Sequence, residues 1–260
     1  MKDVASEADN RGITIDRVGI RDLHLPVRIK EKDGGYARVL GQIEASVELP
    51  HVRRGTHMSR FVEILSSWSK QAVSVAEIEA TLERMINEFA APAAHVALRF
   101  KYFLPKQAPA SGETSELDYD CSFEGTLRAS EFRFLLQVTV PIITLCPCSK
   151  EIAERGAHSQ RAMLSARVNC RSGEILWIED LIPLLEMRGS CDIFPLLKRA
   201  DEKIVTERSY DNPKFVEDVV RDTIVALRAQ PQVIGCSAEC ESLESIHNHV
   251  AYAYAEYGEI

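Results

Sequence analysis

The spacing of apolar and polar positions predicts strands and helices that follow a similar order in the two halves of the chain. Apolar residues that alternate with polar ones predict strands, and apolar residues three and four positions apart predict helices. In the first half the predicted elements are a strand at 36–50, helices at 55–70 and 74–89, and strands at 95–103 and 116–130. Ser74 and Glu77 have the spacing of a capping box for the second helix, and Thr56 is the expected N-cap of the first.

The second half uses the same kinds of element. Its predicted strands lie at 132–145, 158–170, 232–240 and 244–257, and its predicted helices lie at 179–187 and 211–229. Pro183 weakens the first of these helices, whereas Asn212 and Pro213 suit the start of the second as N-cap and first-turn residue. The polar run at 198–207 is expected to lie between helices. The doubled order predicts an α+β protein with two antiparallel sheets and helices inserted between their strand pairs.

Composition excludes several classes of protein. The formal net charge of −8 argues against general nucleic-acid binding, although a local basic patch would still bind a phosphorylated small molecule. Seven cysteines are too sparse, and odd in number, for a disulfide-stapled secreted domain. No apolar stretch is long enough to span a bilayer or to act as a signal peptide. We therefore expect a cytoplasmic protein without a membrane partner, with residues 1–14 as a flexible polar arm.

One stretch, "TLCPCSKEIAERGAHSQR", concentrates candidate chemistry. It places Cys146 and Cys148 on either side of Pro147, with His158 ten residues further along. The proline predicts an extended backbone in which both thiols point to one side of a strand end. A disulfide between residues two apart would be strained, whereas a thiolate and an imidazole are common ligands of transition metals. A metal site, a nucleophile and two buried structural thiols remain open from this stretch alone.

A second candidate group lies near the C-terminus. If residues 244–257 form a strand, His247 and His249 share one face with three alanines, which leaves room for a ligand. Glu244 and Glu241 precede them and offer carboxylates for proton transfer. The alternative is a pair of edge-strand histidines in solvent.

Two further acids differ in their surroundings. Glu202 lies in a polar run, where a solvated surface acid is the usual outcome. Glu217 precedes Val220 and Ile224 on one helix face, so its carboxylate is expected to be half-buried beside apolar residues. A carboxylate there would accept two N–H donors from a guanidine-like ligand edge, or else pair with Arg221.

Basic residues provide candidate partners for phosphate groups. Arg53, Arg54 and Arg60 surround the start of the helix at 55–70, where free backbone N–H groups and the helix dipole favour anions. Lys150 and Arg161 lie in the cysteine-containing stretch. The sequence therefore supplies a candidate anion site in spite of its acidic total charge.

Five ordered motifs, "GTHMSRF", "LCPCSKEI", "GAHSQR", "YDNPKFVEDVVRD" and "ESIHNHVAYAYAEY", resemble those of the type IB GTP cyclohydrolases. The resemblance implies a bimodular tunnelling fold, with modules at 15–130 and 131–260, each a four-stranded antiparallel sheet with two helices on one side. Such chains assemble into β-barrels and a homotetramer with sites at subunit interfaces. The implied reaction converts GTP and water to 7,8-dihydroneopterin triphosphate and formate, the first step toward folate.

The resemblance also implies roles for individual residues. Cys146, His158 and Glu202 would ligate one divalent metal, which is Zn, Mn, Fe or Mg, and His247 would lie at the metal and carry protons. Cys148 and Glu244 are second candidates for the metal shell and for catalysis. The implied substrate contacts are Glu217 with the guanine edge and, elsewhere on GTP, His57, Arg60, Lys150, Arg161 and His249.

Two other functions compete with this interpretation. A nitrile reductase of the same fold would use NADPH and a cysteine nucleophile near this strand end without a metal, but it does not require the histidines of "GAHSQR" and "ESIHNH". A non-catalytic pterin- or purine-binding module would use the cysteines and histidines only for structure.

Overall fold

The computed structural model of the chain describes Ala5 and residues 7–260, so residues 1–4 and Ser6 of the predicted arm lie outside the described residues. The described strands are β1 (Ile15–Lys30), β2 (Tyr36–Leu49), β3 (Ala72–Val73), β4 (Ala93–Gln107), β5 (Thr114–Arg128), β6 (Glu131–Leu145), β7 (Ser159–Cys170), β8 (Cys191–Asp192), β9 (Val233–Leu243) and β10 (Val250–Gly258). The described helices are α1 (Met58–Leu65), α2 (Val75–Phe89), α3 (Pro147–Ile152), α4 (Ile178–Glu186), α5 (Arg199–Asp211) and α6 (Val216–Arg228), with a 3₁₀ turn at Ser66–Ser69. No helix among them is both long and apolar enough to cross a membrane. The mixed α+β class is confirmed.

The first compact unit contains the described residues within Met1–Phe100, together with Ser122–Leu135. Its strands pair in the order β4-β2-β1-β3, antiparallel except for the short β3, which runs parallel to β1. The predicted capping box of Ser74 and Glu77 is confirmed at the start of α2. Trp68 is fully buried in the 3₁₀ turn, and its indole Nε1 donates to Thr81 Oγ1 of α2 at 3.0 Å. This bond satisfies the one polar atom of the largest side chain in the unit's core.

The second compact unit contains Lys101–Cys121 and Leu136–Ile260. Its strands β10, β9, β7 and β6 are neighbours in that order, and β8 pairs with β6. Helix α6 packs against β9 and β10 through a buried stripe that includes Val219, Val220 and Leu227. Trp177 is the N-cap residue of α4, which forms as predicted with Pro183 inside it. The module boundary predicted at residue 130 stays a prediction.

The predicted strands of both halves form, although the one predicted at 244–257 begins only at Val250, and β1 has no counterpart among the predicted elements. Its alternation is interrupted by two register shifts against β2, one of them between Ile20 and Leu23. Asp22, within that shift, has a φ of 56°. Because each irregularity moves the following side chains to the other face, the strand does not show a period of two.

Three predictions around helix ends are wrong. Helix α1 begins at Met58 with His57 as its N-cap, one residue after the predicted Thr56. The polar run at 198–207 is mostly helical, because it falls within α5. Asn212 is the C-cap of α5 and not the N-cap of the next helix, since α6 begins at Val216 after Phe215. Asn212 Nδ2 instead donates to the carbonyl oxygen of Gly189 at 3.0 Å, so its amide serves a loop contact.

Candidate active site

The second unit contains an open cavity of ≈ 380 Å³ that gathers many of the predicted site residues. The strand ends of β6 and β7, the start of α6 and the turn before β10 form its wall. The lining residues are Thr144, Cys146, His158, Gln160, Lys214, Phe215, Val216, Glu217, Glu244, His247, His249, Ala251 and Tyr252. The fold therefore brings together residues that lie more than 100 positions apart in the sequence, such as Thr144 and Tyr252.

Cys146 and His158 are held together at one side of this cavity. Cys146 N donates to the carbonyl oxygen of His158 at 3.1 Å, which confirms that the two segments are neighbours. Cys146 is the N-cap of α3, and its Sγ accepts a hydrogen bond from Ser149 N at 3.4 Å. Ser149 Oγ in turn accepts from His158 N at 3.1 Å. The thiol and the imidazole are therefore positioned by the same short helix turn.

The extended backbone predicted across the two cysteines is wrong. Pro147 is the first residue of α3, where its missing N–H and fixed φ favour the helix. Cys148 consequently lies in the first turn of a helix, is exposed, and is not among the lining residues of the cavity. None of the seven cysteines, all of which lie in the described residues, forms a disulfide.

A polar network joins His158 to the strand β9 side of the cavity. His158 Nδ1 lies 2.9 Å from Gln160 Oε1 and 3.6 Å from Glu244 Oε2. Ser242 Oγ donates to Glu244 Oε1 at 3.0 Å and lies 3.2 Å from Thr144 Oγ1. Sequence reasoning missed Gln160, Thr144 and Ser242, because neutral polar residues carry no metal-ligand or acid–base signature. The available signal was the spacing of Gln160, which lies two residues after His158 within the strand predicted at 158–170.

The strand predicted for His247 and His249 does not form there. Both residues lie in the turn between β9 and β10. Their rings stack with centroids 4.9 Å apart and planes at 16°. Both line the cavity, as does Ala251 at the start of β10. The predicted association of the two histidines with small residues therefore holds through a turn and not through one strand face.

Glu217 is the second residue of α6 and lines the cavity, but its side chain is exposed and not half-buried. The reason is that the buried stripe of α6 begins with Val216 and continues with Val219 and Val220, which leaves Glu217 on the other side. Arg221 lies 3.5 Å from an oxygen of Asp218. Glu217 is thus positioned at the cavity edge with its carboxylate open to a ligand.

Several predicted site residues lie elsewhere. Glu202 is exposed near the start of α5 and does not line this cavity. Lys150 Nζ donates to the carbonyl oxygen of Tyr210 and lies 4.2 Å from the centre of that ring. Arg161 is exposed on β7. In the first unit, His57 and Arg60 line a separate cavity of ≈ 330 Å³.

The donor atoms can be compared with the needs of a metal. Cys146 and His158 offer a thiolate and an imidazole, which suit a transition metal. Among the described residues, however, no group of three His, Cys, Asp or Glu side chains is close enough together to hold a metal ion. The arrangement fits part of a metal shell and requires further ligands.

Comparisons with known proteins agree on one family. The family model described as type I GTP cyclohydrolase folE2 matches residues 1–253. GTP cyclohydrolase FolE2 of Thiobacillus denitrificans is 46% identical over 257 residues, covering 99% of this chain and 94% of the relative. GTP cyclohydrolase FolE2 of Geobacter sulfurreducens is 44% identical over 256 residues, covering 98% of each chain.

Solved structures with a similar fold include uricases. The uricase from Arthrobacter globiformis has a TM-score of 0.56 at 8% identity, over 94% of this chain and 93% of that one. Urate oxidase from Bacillus subtilis 168 has a TM-score of 0.55 at 8% identity, over 93% of this chain and 98% of that one. This likeness concerns the fold alone and supports the predicted tunnelling fold. On the full-length match to the family model and to the FolE2 relatives, this chain belongs to the type I GTP cyclohydrolase FolE2 family.

Proposed function

We propose that the chain has GTP cyclohydrolase I activity of the type IB kind and hydrolyses GTP to 7,8-dihydroneopterin triphosphate and formate. This would be the first step of tetrahydrofolate biosynthesis. The observation that carries the proposal is the cavity that joins Cys146, His158, Glu217 and His247 in a chain of the FolE2 family. Relatives at 42–46% identity are named for this activity.

The proposed site holds one divalent metal, Zn, Mn, Fe or Mg. Cys146 and His158 would hold it, with His247 beside it and Glu202 as the further ligand implied by the resemblance. Bound there, the metal would supply Lewis-acid activation of water for attack on a purine carbon. Because Glu202 does not line the cavity, this part of the shell is the least supported by the geometry.

The side chains around the cavity account for the rest of the chemistry. Glu217 would accept two hydrogen bonds from the N–H groups of the guanine edge and so place the purine ring in the cavity. Ring opening and release of formate require proton transfers, for which His247, His249 and Glu244 are within the same cavity. Lys214, which also lines it, is paired with Asp222 at 2.7 Å. Its positive charge is therefore partly neutralised by Asp222.

The proposal includes the residues that would bind the triphosphate of GTP and the assembly of the chain into a homotetramer. His57, Arg60, Lys150 and Arg161 do not line the second-unit cavity. We assign their contacts with GTP to sites shared between subunits of a homotetramer, as the family resemblance implies. Cys148 stays a second candidate for reactivity, supported by its exposure beside the site residue Cys146. Seven unpaired cysteines support a cytoplasmic location, where thiols stay reduced. The net charge of −8 disfavours binding of nucleic acid and so supports GTP as the partner.

The test is formate and neopterin production from GTP, measured before metal removal, after chelation, and after metal is added back. We expect turnover to fall by roughly 100-fold or more on chelation and to return with metal, since metal activation of water is worth several kcal/mol. Cys146→Ala should lose activity to a similar extent. Cys170→Ala serves as its matched control, because Cys170 is the last residue of β7, at the end of that strand away from His158, and does not line the cavity. Full turnover in protein shown to contain no metal would refute the proposed site, and absence of GTP turnover in the metal-loaded protein would refute the function.

A further inference from the structure

Gln160 lies between two charged or ionisable groups of the cavity, and the proposed chemistry gives it no role. It is the second residue of β7, is partly buried, and lines the cavity two residues after His158. Its side-chain amide has a different neighbour on each side. The oxygen Oε1 lies 2.9 Å from His158 Nδ1, and the nitrogen Nε2 lies 3.4 Å from Glu244 Oε1.

The neighbours of Gln160 determine which way its amide points. An ionised carboxylate only accepts hydrogen bonds, so the NH₂ group of Gln160 must be the side that faces Glu244. The same NH₂ group donates to Thr144 Oγ1 at 3.2 Å. A flipped amide would place its carbonyl oxygen against the carboxylate oxygen and its NH₂ group against the imidazole. The orientation with Oε1 toward His158 is therefore the one that satisfies the network.

The orientation of Gln160 in turn determines the tautomer of His158. A carbonyl oxygen only accepts, so His158 Nδ1 must carry the hydrogen that joins it to Gln160 Oε1 at 2.9 Å. Glu244 Oε2, 3.6 Å from the same nitrogen, favours the same tautomer. A neutral imidazole carries a single ring proton, so Nε2 is left with a free lone pair.

Buried hydroxyl groups hold the carboxylate end of this network in place. Ser242 and Thr144 are almost fully buried, and their Oγ and Oγ1 atoms are 3.2 Å apart. Ser242 Oγ donates to Glu244 Oε1 at 3.0 Å. With Gln160 donating to Thr144, Thr144 donating to Ser242, and Ser242 donating to Glu244, every hydroxyl has one donor and one acceptor role. The hydrogen bonds therefore have one consistent direction, which ends at the carboxylate.

We propose that Gln160 is a positioning residue that transmits the fixed orientation of Glu244 to His158, holding Nδ1 protonated and leaving Nε2 free to bind a ligand. That this ligand is a divalent metal rests on the proposed function. The tautomer itself does not, because it follows from hydrogen bonds within the chain. Groups that hold the far nitrogen of a metal-binding histidine typically change metal affinity 10- to 100-fold when removed.

The direct test is nitrogen-15 NMR of the histidine rings in metal-free protein at alkaline pH. The His158 signals are those absent from the spectrum of His158→Gln. In wild-type protein we expect Nδ1 to carry the proton. Gln160→Met, which keeps the side-chain length but removes both hydrogen-bonding atoms, should give a mixture of the two tautomers. Gln160→Glu, which keeps an acceptor beside His158, should retain the wild-type tautomer.

Gln137→Met is the matched control. Gln137 is also a partly buried strand glutamine of the second unit, whose Nε2 donates to Ser165 Oγ at 3.0 Å, and it does not line the cavity. Titration with Co²⁺, followed by its visible spectrum, should show affinity about 10- to 100-fold weaker for Gln160→Met and unchanged for Gln137→Met.

Three outcomes would overturn the inference: a wild-type His158 protonated on Nε2, a Gln160→Met spectrum identical to wild type, or equal losses of Co²⁺ affinity in Gln160→Met and Gln137→Met. The second outcome would assign the tautomer to Glu244 alone. Failure of GTP turnover in wild-type protein with the expected tautomer pattern intact would refute the proposed function and leave the role of Gln160 standing.

Discussion

At the scale of single residues, Glu217 is the acid whose position bears most directly on substrate selection. It lies in the first turn of α6 and lines the cavity with an exposed carboxylate. The nearby acid Asp218 is already used, because its side chain accepts from Phe215 N at 3.1 Å and lies 3.5 Å from Arg221. Glu217 is therefore the acid of this turn that is suited to recognise a ligand.

We expect Glu217→Gln to weaken GTP binding about 10- to 100-fold, because two charge-assisted hydrogen bonds to the guanine edge would be lost or reversed. The unfolding midpoint should stay close to that of wild type, since the side chain is exposed. Glu207→Gln is the control, because Glu207 is an exposed helical glutamate paired with Lys203 on α5. Isothermal titration with GTP would measure both variants. Equal affinities of Glu217→Gln and wild type would rule out the guanine-binding role.

The predictability of the site also differs from residue to residue. Cys146 and His158 could be predicted because a thiol and an imidazole are rare and chemically distinctive. Gln160 could not, because its role depends on which neighbours its two amide atoms meet in three dimensions. The burial of Glu217 was wrongly predicted, since neighbouring apolar residues on a helix do not determine which side of the stripe a polar residue takes.

At the scale of elements, α5 shows how one buried carboxylate stabilises a helix that has no apolar stripe. Asp201 is fully buried, and its side chain accepts from Lys198 N at 2.8 Å at the start of α5. It also accepts from Ala110 N at 2.7 Å and from Ser111 N at 2.8 Å, in the loop between β4 and β5. Hydrophobic periodicity could not predict this helix, because its stabilising contacts are polar and come from about 90 residues away.

The same contacts determine a pH dependence. Burial by itself would raise the pKa of Asp201, but the hydrogen bonds from Ser111, Lys198 and Ala110 outweigh it and hold the pKa well below 3.8. A lowered carboxyl pKa stabilises the folded state at pH values above the unfolded-state pKa, and this contribution is lost as the pH falls toward the folded-state pKa.

We therefore expect Asp201→Asn to lower the free energy of unfolding of the second unit near neutral pH, with a difference from wild type that shrinks below about pH 4. Asp211→Asn, at the exposed end of α5, is the control and should show no such difference. Denaturant unfolding across this pH range would measure the effect. If the free energies of unfolding of wild type and Asp201→Asn differ by the same amount at every pH, the prediction is contradicted.

At the scale of the whole molecule, the sequence predicted the class and the order of most elements, but it could not predict which exposed surface would contact another chain. The edge strand β10 carries the exposed side chains of Tyr252, Tyr254 and Tyr257, and among the strands that the structure describes it pairs only with β9. An exposed, aromatic edge strand is suited to pairing with another chain. The periodicity of apolar residues in the sequence shows which residues are apolar, but it does not show whether they are buried within the chain or against another chain.

We expect the protein to be a homotetramer, with a mass by light scattering of about four times 29.1 kDa. If sites are shared between subunits, GTP turnover per chain should fall on dilution as the tetramer dissociates. Light scattering would show the dilution at which the tetramer dissociates. If turnover per chain stays constant through that dissociation, a single chain carries a complete site. A monomer at all concentrations would refute the assembly.

The two tryptophans give each compact unit its own optical signal. Trp68 is fully buried in the first unit, and Trp177 caps α4 in the second with its side chain partly exposed. Indole emission shifts to shorter wavelength in an apolar environment, so Trp177→Phe should leave a blue-shifted emitter and Trp68→Phe a red-shifted one. The fluorescence of such single-tryptophan variants would report unfolding unit by unit, without any attached dye, and would show whether the chain melts in one step or in two.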